Sequence, residues 1–154
     1  MTHIFSSFLV GILAIFSVLA APVMAAGTSD GSSAASPTIS AYDEAKAMVG
    51  EGNFAAALPK LITLTKEDPK NADAWNLLGF TYRKLGQLAD SDKAYMTVLK
   101  INPNHLGALE YQGELFITTG KLDQAKANLA KLQTLCGKCE QYEDLAKSLK
   151  AAGA

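Results

Sequence analysis

The chain has 154 residues, with 14 Lys or Arg against 15 Asp or Glu. That balance leaves no basic stripe for nucleic acid or an anionic lipid surface. Its two cysteines and two histidines are too few and too far apart for a convincing metal site, and no cofactor is expected. The first element is apolar: Ile4 to Met24 runs without a charge, and Val23-Met24-Ala25 supplies the small residues that a signal peptidase reads. Residues 1–26 are expected to be a cleaved export signal, cut after Ala25 or Ala26, which points to a periplasmic or secreted protein. The same segment is just long enough to span a bilayer, so an uncleaved anchor over residues 4–24 is the alternative, and the only way a membrane enters. Residues 27–37, Gly-Thr-Ser-Asp-Gly-Ser-Ser-Ala-Ala-Ser-Pro, have the small polar composition of a flexible linker.

Beyond the linker a unit of 34 residues recurs three times, over 38–71, 72–105 and 106–139. Trp75, Gly79, Tyr82, Ser91, Tyr95 and Pro103 of the central unit are matched upstream by Ala41, Ala45, Met48, Ala57, Leu61 and Pro69. Downstream, Leu109, Gly113, Phe116, Ala125, Leu129 and Gly137 hold the same places. Within each unit apolar residues fall at helical spacing, as in Leu77, Leu78, Tyr82 and Leu85, then Ala94, Tyr95, Val98 and Leu99. Each unit therefore reads as a helical hairpin. Gly52, Gly86 and Gly120 stand where a left-handed residue can end the first helix. Pro69 and Pro103 push Asp68 and Asn102 out of helical geometry and stop the second. Pro59 is expected to remove a hydrogen bond from, or kink, the second helix of the first unit. Gly79 and Gly113, inside first helices, imply close approach of a neighbouring helix.

The run Trp75-Asn-Leu-Leu78-Gly79-Phe-Thr-Tyr82, with a small residue, an aromatic and a proline following at set offsets, resembles the tetratricopeptide repeat. The resemblance implies an all-α fold, an α-solenoid of three helical hairpins that binds other proteins rather than catalysing a reaction. Residues 140–154 complete it: Tyr142, Leu145, Ala146 and Leu149 share one helical face, as a capping helix requires.

Cys136-Gly-Lys-Cys139 lies at the break before that helix. In an exported protein an even cysteine count most simply means a structural disulfide. A redox pair is the alternative, because Cys139 opens a helix beside Lys138 and both lower a thiol pKa.

No nucleophilic triad, zinc-hydrolase pair or phosphate loop is present, so no enzyme is expected. Glu110 and Glu114 could do acid–base work as paired carboxylates, but no histidine accompanies them. His105 reads as a solvated helix-start residue behind Asn104 as N-cap. First-helix residues three or four apart form the inner face of such a stack, which makes Tyr42, Lys46, Asn76, Phe80, Arg83, Glu110 and Glu114 the candidate partner-binding residues. Phe80 is expected to be an exposed apolar anchor and Asn76 to bond a peptide backbone. Arg83 either grips a carboxylate of the partner or pairs with Glu114. Leu77 and Tyr111 stand where the family's carboxylate clamp wants polar residues, so that clamp does not carry over. The expected function is a scaffold or adaptor of the cell envelope that holds a segment of another protein or peptide. A thiol–disulfide role through Cys136 and Cys139 is the alternative, and self-association stays open.

Overall fold

The computed structural model describes residues 40–154, so the expected signal, anchor and linker lie outside the described residues. Seven helices follow in order: α1 (Ala41–Gly50), α2 (Phe54–Glu67), α3 (Ala72–Lys84), α4 (Leu88–Ile101), α5 (Leu106–Thr118), α6 (Leu122–Cys136) and α7 (Glu140–Ala151). Consecutive helices pack as antiparallel hairpins, and each odd-numbered helix also touches the next odd one, so α1, α3, α5 and α7 form one continuous layer. The described part is an all-α solenoid of three hairpins closed by α7.

The turn chemistry repeats with the period. Gly52, Gly86 and Gly120 have φ of 77°, 75° and 73°. The residue after each glycine sends its N–H back to the helix: Asn53 to the Met48 carbonyl, Gln87 to Tyr82 and Lys121 to Phe116, at 2.8, 2.9 and 2.7 Å. This closes orphan carbonyls with the left-handed C-cap geometry that only glycine adopts freely. Asp68 and Asn102 leave helical geometry before Pro69 and Pro103, and α2 and α4 end there.

Helix starts are capped by residues one period apart. The Asn71 side chain accepts from the Ala74 N–H at 2.9 Å. In the next unit the same place belongs to His105, whose Nδ1 accepts from the Ala108 N–H at 3.1 Å while Nε2 meets Asp73 at 3.0 Å. This corrects the assignment of Asn104 as cap: His105 is the cap itself and is held between two helices rather than solvated. The second hydrogen bond of Nε2 selects the tautomer that leaves Nδ1 free to accept. Pro59 lies inside an unbroken α2 on its exposed side, so the lost hydrogen bond falls on the Ala55 carbonyl and does not end the helix.

The core runs between the two layers. Ala45, Ala57, Leu61 and Leu78 fill its first part, Tyr95, Val98, Ala108 and Leu115 its middle, and Leu109, Ala125, Leu132, Leu145 and Leu149 its last. Both interior glycines mark tight crossings. A Cβ on Gly79 would lie 2.7 Å from the Tyr95 ring, and one on Gly113 2.5 Å from Leu145. Ser91, where the repeat usually has alanine, is fully buried and donates to the Gly79 carbonyl at 2.8 Å, which ties α4 to α3 at the first crossing.

Candidate functional site: the inner face of the odd-numbered helices

The inner face is built by residues that recur every 34 positions on the odd-numbered helices. Tyr42, Asn76 and Glu110 form one row; Lys46, Phe80 and Glu114 form the next. Both rows continue onto α7, where Asp144 and Ser148 occupy the corresponding places. Sequence reasoning had treated this helix only as a cap. Adding one more period to Glu110 and Glu114 would have revealed its contribution, although α7 lacks the small residues that identify the earlier first helices.

Phe80 is partly buried rather than exposed. Its ring packs on Tyr111 at 5.0 Å between centroids and on Phe54 at 6.0 Å, and it lies against the first core cluster. It became buried because Phe54, from the preceding hairpin, and Tyr111, from the following one, meet over it. Neither contact is visible in the periodicity of α3 alone. The Arg83 guanidinium stands 5.5 Å from the Phe80 ring and 5.8 Å from that of Tyr111, and Lys84 Nζ lies 5.2 Å from Phe80. Together these side chains make an aromatic floor edged by cations.

Of the two roles open to Arg83, pairing is the one present: its Nη2 meets Glu114 Oε2 at 2.5 Å. Its Nε is buried and unpartnered, as are the Asn76 Oδ1 and the Tyr95 hydroxyl. Burial, opposed by the neighbouring Arg83 charge, raises the Tyr95 pKa well above the ordinary tyrosine value, so this hydroxyl stays protonated. Arg83, Glu114, Ile117, Thr118 and Ser148 surround a recess of about 200 Å³ on this face, and the Ser148 hydroxyl lies 3.5 Å from Glu114.

Glu110 is the most perturbed acid. It is 7% exposed, and among the described residues no side-chain hydrogen bond reaches it. Burial raises its pKa from 4.5 to about 7, reinforced by Glu114, Asp144 and Glu140 and opposed by Arg83. Tyr111 is raised as well, first by burial and then by Glu110 and Glu114. At the other end of the face, Lys46 is exposed and Tyr42 is partly buried, its pKa raised by burial and then by Asp73. The candidate residues thus lie along one surface, but the acidic end and the aromatic floor are in contact while Lys46 stands apart.

Cys136 and Cys139 sit at disulfide distance across the corner between α6 and α7, with Gly137 at φ 67°. Among the described residues no three His, Cys, Asp or Glu side chains are placed to hold a metal ion, and no helix is long and apolar enough to cross a membrane.

Residues 48–109 match the family described as Tetratricopeptide repeat. This segment of the chain carries tetratricopeptide repeats. A curated relative, tetratricopeptide repeat protein 21 homolog of Caenorhabditis elegans, is 28% identical over 89 residues, which is 58% of this chain. The chain spans only 7% of that relative's length. Among solved structures, the second tetratricopeptide domain of human RPAP3, in complex with the HSP70 peptide SGPTIEEVD, aligns with a TM-score of 0.66 at 19% identity, over 75% of this chain and 94% of that one. PcrH in complex with the chaperone binding region of PopD aligns with a TM-score of 0.64 at 20% identity, over 73% and 88%. These likenesses establish the fold of the tetratricopeptide domain.

Proposed function

We propose that this tetratricopeptide protein is a non-enzymatic adaptor that holds a segment of another protein against the inner face of α1, α3, α5 and α7. The observation that carries this reading is the aromatic floor of Phe80 and Tyr111, edged by the Arg83 and Lys84 cations on the inner face. A peptide offers an apolar side chain for such a floor and polar groups for its charged edge. Solved structures of the same fold hold segments of other proteins, an HSP70 peptide in the human RPAP3 domain and the chaperone binding region of PopD in PcrH. The uncharged stretch over residues 4–24 supports placing the adaptor outside the cytoplasm, in the cell envelope.

The test is an array of short immobilised peptides in cationic, neutral and acidic sets, probed with the full chain and with a Ser148→Trp variant that crowds the inner face without removing core. The expected outcome is a set of peptides bound by the wild type and lost by the variant, with helicity unchanged. If no peptide of any composition distinguishes the two proteins, the inner face is not the binding surface.

A further inference from the structure

The inner face has a polarity that specifies its occupant. From α5 to α7 it is acidic: α5 packs on α7, the row of Glu110 continues to Asp144, and Glu114, Asp144 and Glu140 all bear on the Glu110 carboxyl. The one cation among them, Arg83, is already paired with Glu114. Glu110 is 7% exposed, receives no side-chain hydrogen bond among the described residues, and shares its row with the unpartnered Asn76 Oδ1 and with Asp144. A carboxyl largely shielded from water and flanked by other acids is relieved by a cation that reaches its edge. Two carboxylates in one row, Glu110 and Asp144, beside an aromatic floor, fit a donor that is also a cation with an apolar stem.

Resting on the adaptor reading above, we propose that the partner segment is basic, with a Lys or Arg side chain seated between Glu110 and Asp144 and an adjoining apolar residue on Phe80 and Tyr111. The stem of such a side chain lies along the aromatic rings while its head takes the carboxylates. This is the opposite charge preference from SGPTIEEVD, the peptide held by the human RPAP3 domain, which carries three acids and no base. An acidic segment would find Arg83 occupied by Glu114 and three further carboxylates, Glu110, Glu140 and Asp144, beside the pair. The chain's own residues 1–39 contain no Lys or Arg to fill this seat. A divalent ion is a poor alternative occupant, since no three carboxylates among the described residues converge as metal ligands.

The groups around Glu110 also set the pH behaviour. It is faced by Arg83 from α3, by Glu114 and Tyr111 on its own helix, and by Glu140 and Asp144 from α7. From α4, Asp92 is turned towards Gln112 and Lys121, and α6 presents the neutral Asn128 to Gln112. A bound cation favours ionised Glu110, so affinity rises with pH as this carboxyl loses its proton.

The deciding experiment uses the full chain and fluorescence anisotropy. The probes are two end-blocked peptides of Leu, Ala and Ser that differ only in carrying Lys or Glu at two positions. The Lys peptide is expected to bind at least roughly tenfold more tightly, and to weaken by up to about tenfold from pH 8 to pH 6, as one carboxyl with a pKa near the middle of that range demands. Glu110→Gln and Asp144→Asn each weaken it at pH 8, and Glu110→Gln flattens the pH dependence. Equal or tighter binding of the Glu peptide, lost with Ser148→Trp, would overturn the charge preference while leaving the adaptor reading intact. Failure of both peptides, on an array with no Ser148→Trp-sensitive spot, would remove both readings. Displacement of the Lys peptide by millimolar calcium, beyond that caused by sodium chloride of equal ionic strength, would assign the carboxylates to a metal. A dimer dissociated by Asp144→Asn would assign them to a second copy of the chain.

Discussion

At the scale of single residues, the two interior glycines do the same job with different tolerances. Gly79 faces the ring of Tyr95, which is rigid, whereas Gly113 faces the branched end of Leu145, which is equally buried but can rotate. Gly79→Ala is therefore expected to destabilise by about 1 to 3 kcal/mol, more than offsetting the helix-propensity gain, and Gly113→Ala by clearly less. Urea unfolding followed by Trp75 fluorescence measures both, and equal effects would show that Tyr95 yields as easily as Leu145. Glu110 makes a second prediction. Its folded pKa lies near 7 against 4.5 in the unfolded chain. Between those values the native state holds the extra proton, so this group's contribution is fully present below pH 4.5 and is lost as pH rises through 7. Glu110→Gln should match the wild type in acid and be more stable at alkaline pH by about 1 to 2 kcal/mol, a figure reduced for water reaching the inner face. The comparison needs only denaturation curves at the two ends of the range.

Whole elements depend on how their ends are tied. The start of α5 rests on His105, which caps Ala108 and reaches Asp73 on α3 in the same conformation. Replacing it by alanine is expected to cost about 1 kcal/mol, and faster amide exchange in the first turn of α5 would locate the loss. The corner between α6 and α7 is tied by Cys136 and Cys139. Closing so short a loop contributes about 2 kcal/mol or less in the chain-entropy model, so reduction should leave the fold intact. What reduction should change is exchange in α7, the helix that carries Glu140 and Asp144, and unchanged protection there would mean that Leu145 and Leu149 alone hold it. The hairpin turns were legible in advance, because a positive φ at a fixed offset has few solutions other than glycine. The His105 cap was missed because histidine is an uncommon cap, and its second contact comes from a helix 32 residues away.

For the whole molecule, α7 is both a lid on the core and part of the inner face. Leu145 and Leu149 complete the cluster around Leu109, Phe116 and Leu132. Deleting residues 140–154 removes two buried leucines, roughly 3 to 6 kcal/mol of burial, and should promote self-association through the uncovered side of α5 and α6. The sole tryptophan, Trp75 on α3, lies in an earlier hairpin, so its unfolding midpoint reports whether that loss spreads along the stack. A midpoint unaffected by the deletion would mean that the hairpins melt separately.

The repeat period, the helical hairpins, the glycine turns and the proline stops were determined by the sequence alone, since each depends on backbone geometry that a residue type dictates locally. The inner-face positions were also legible, because helical spacing places them on one side of each first helix. Tertiary structure decided what those positions do. Phe80 lies under Phe54 and Tyr111, Arg83 pairs with Glu114, and α7 sets Asp144 beside Glu110. Each of these joins residues from different hairpins, and the burial and charge that set their chemistry exist only once the helices are stacked.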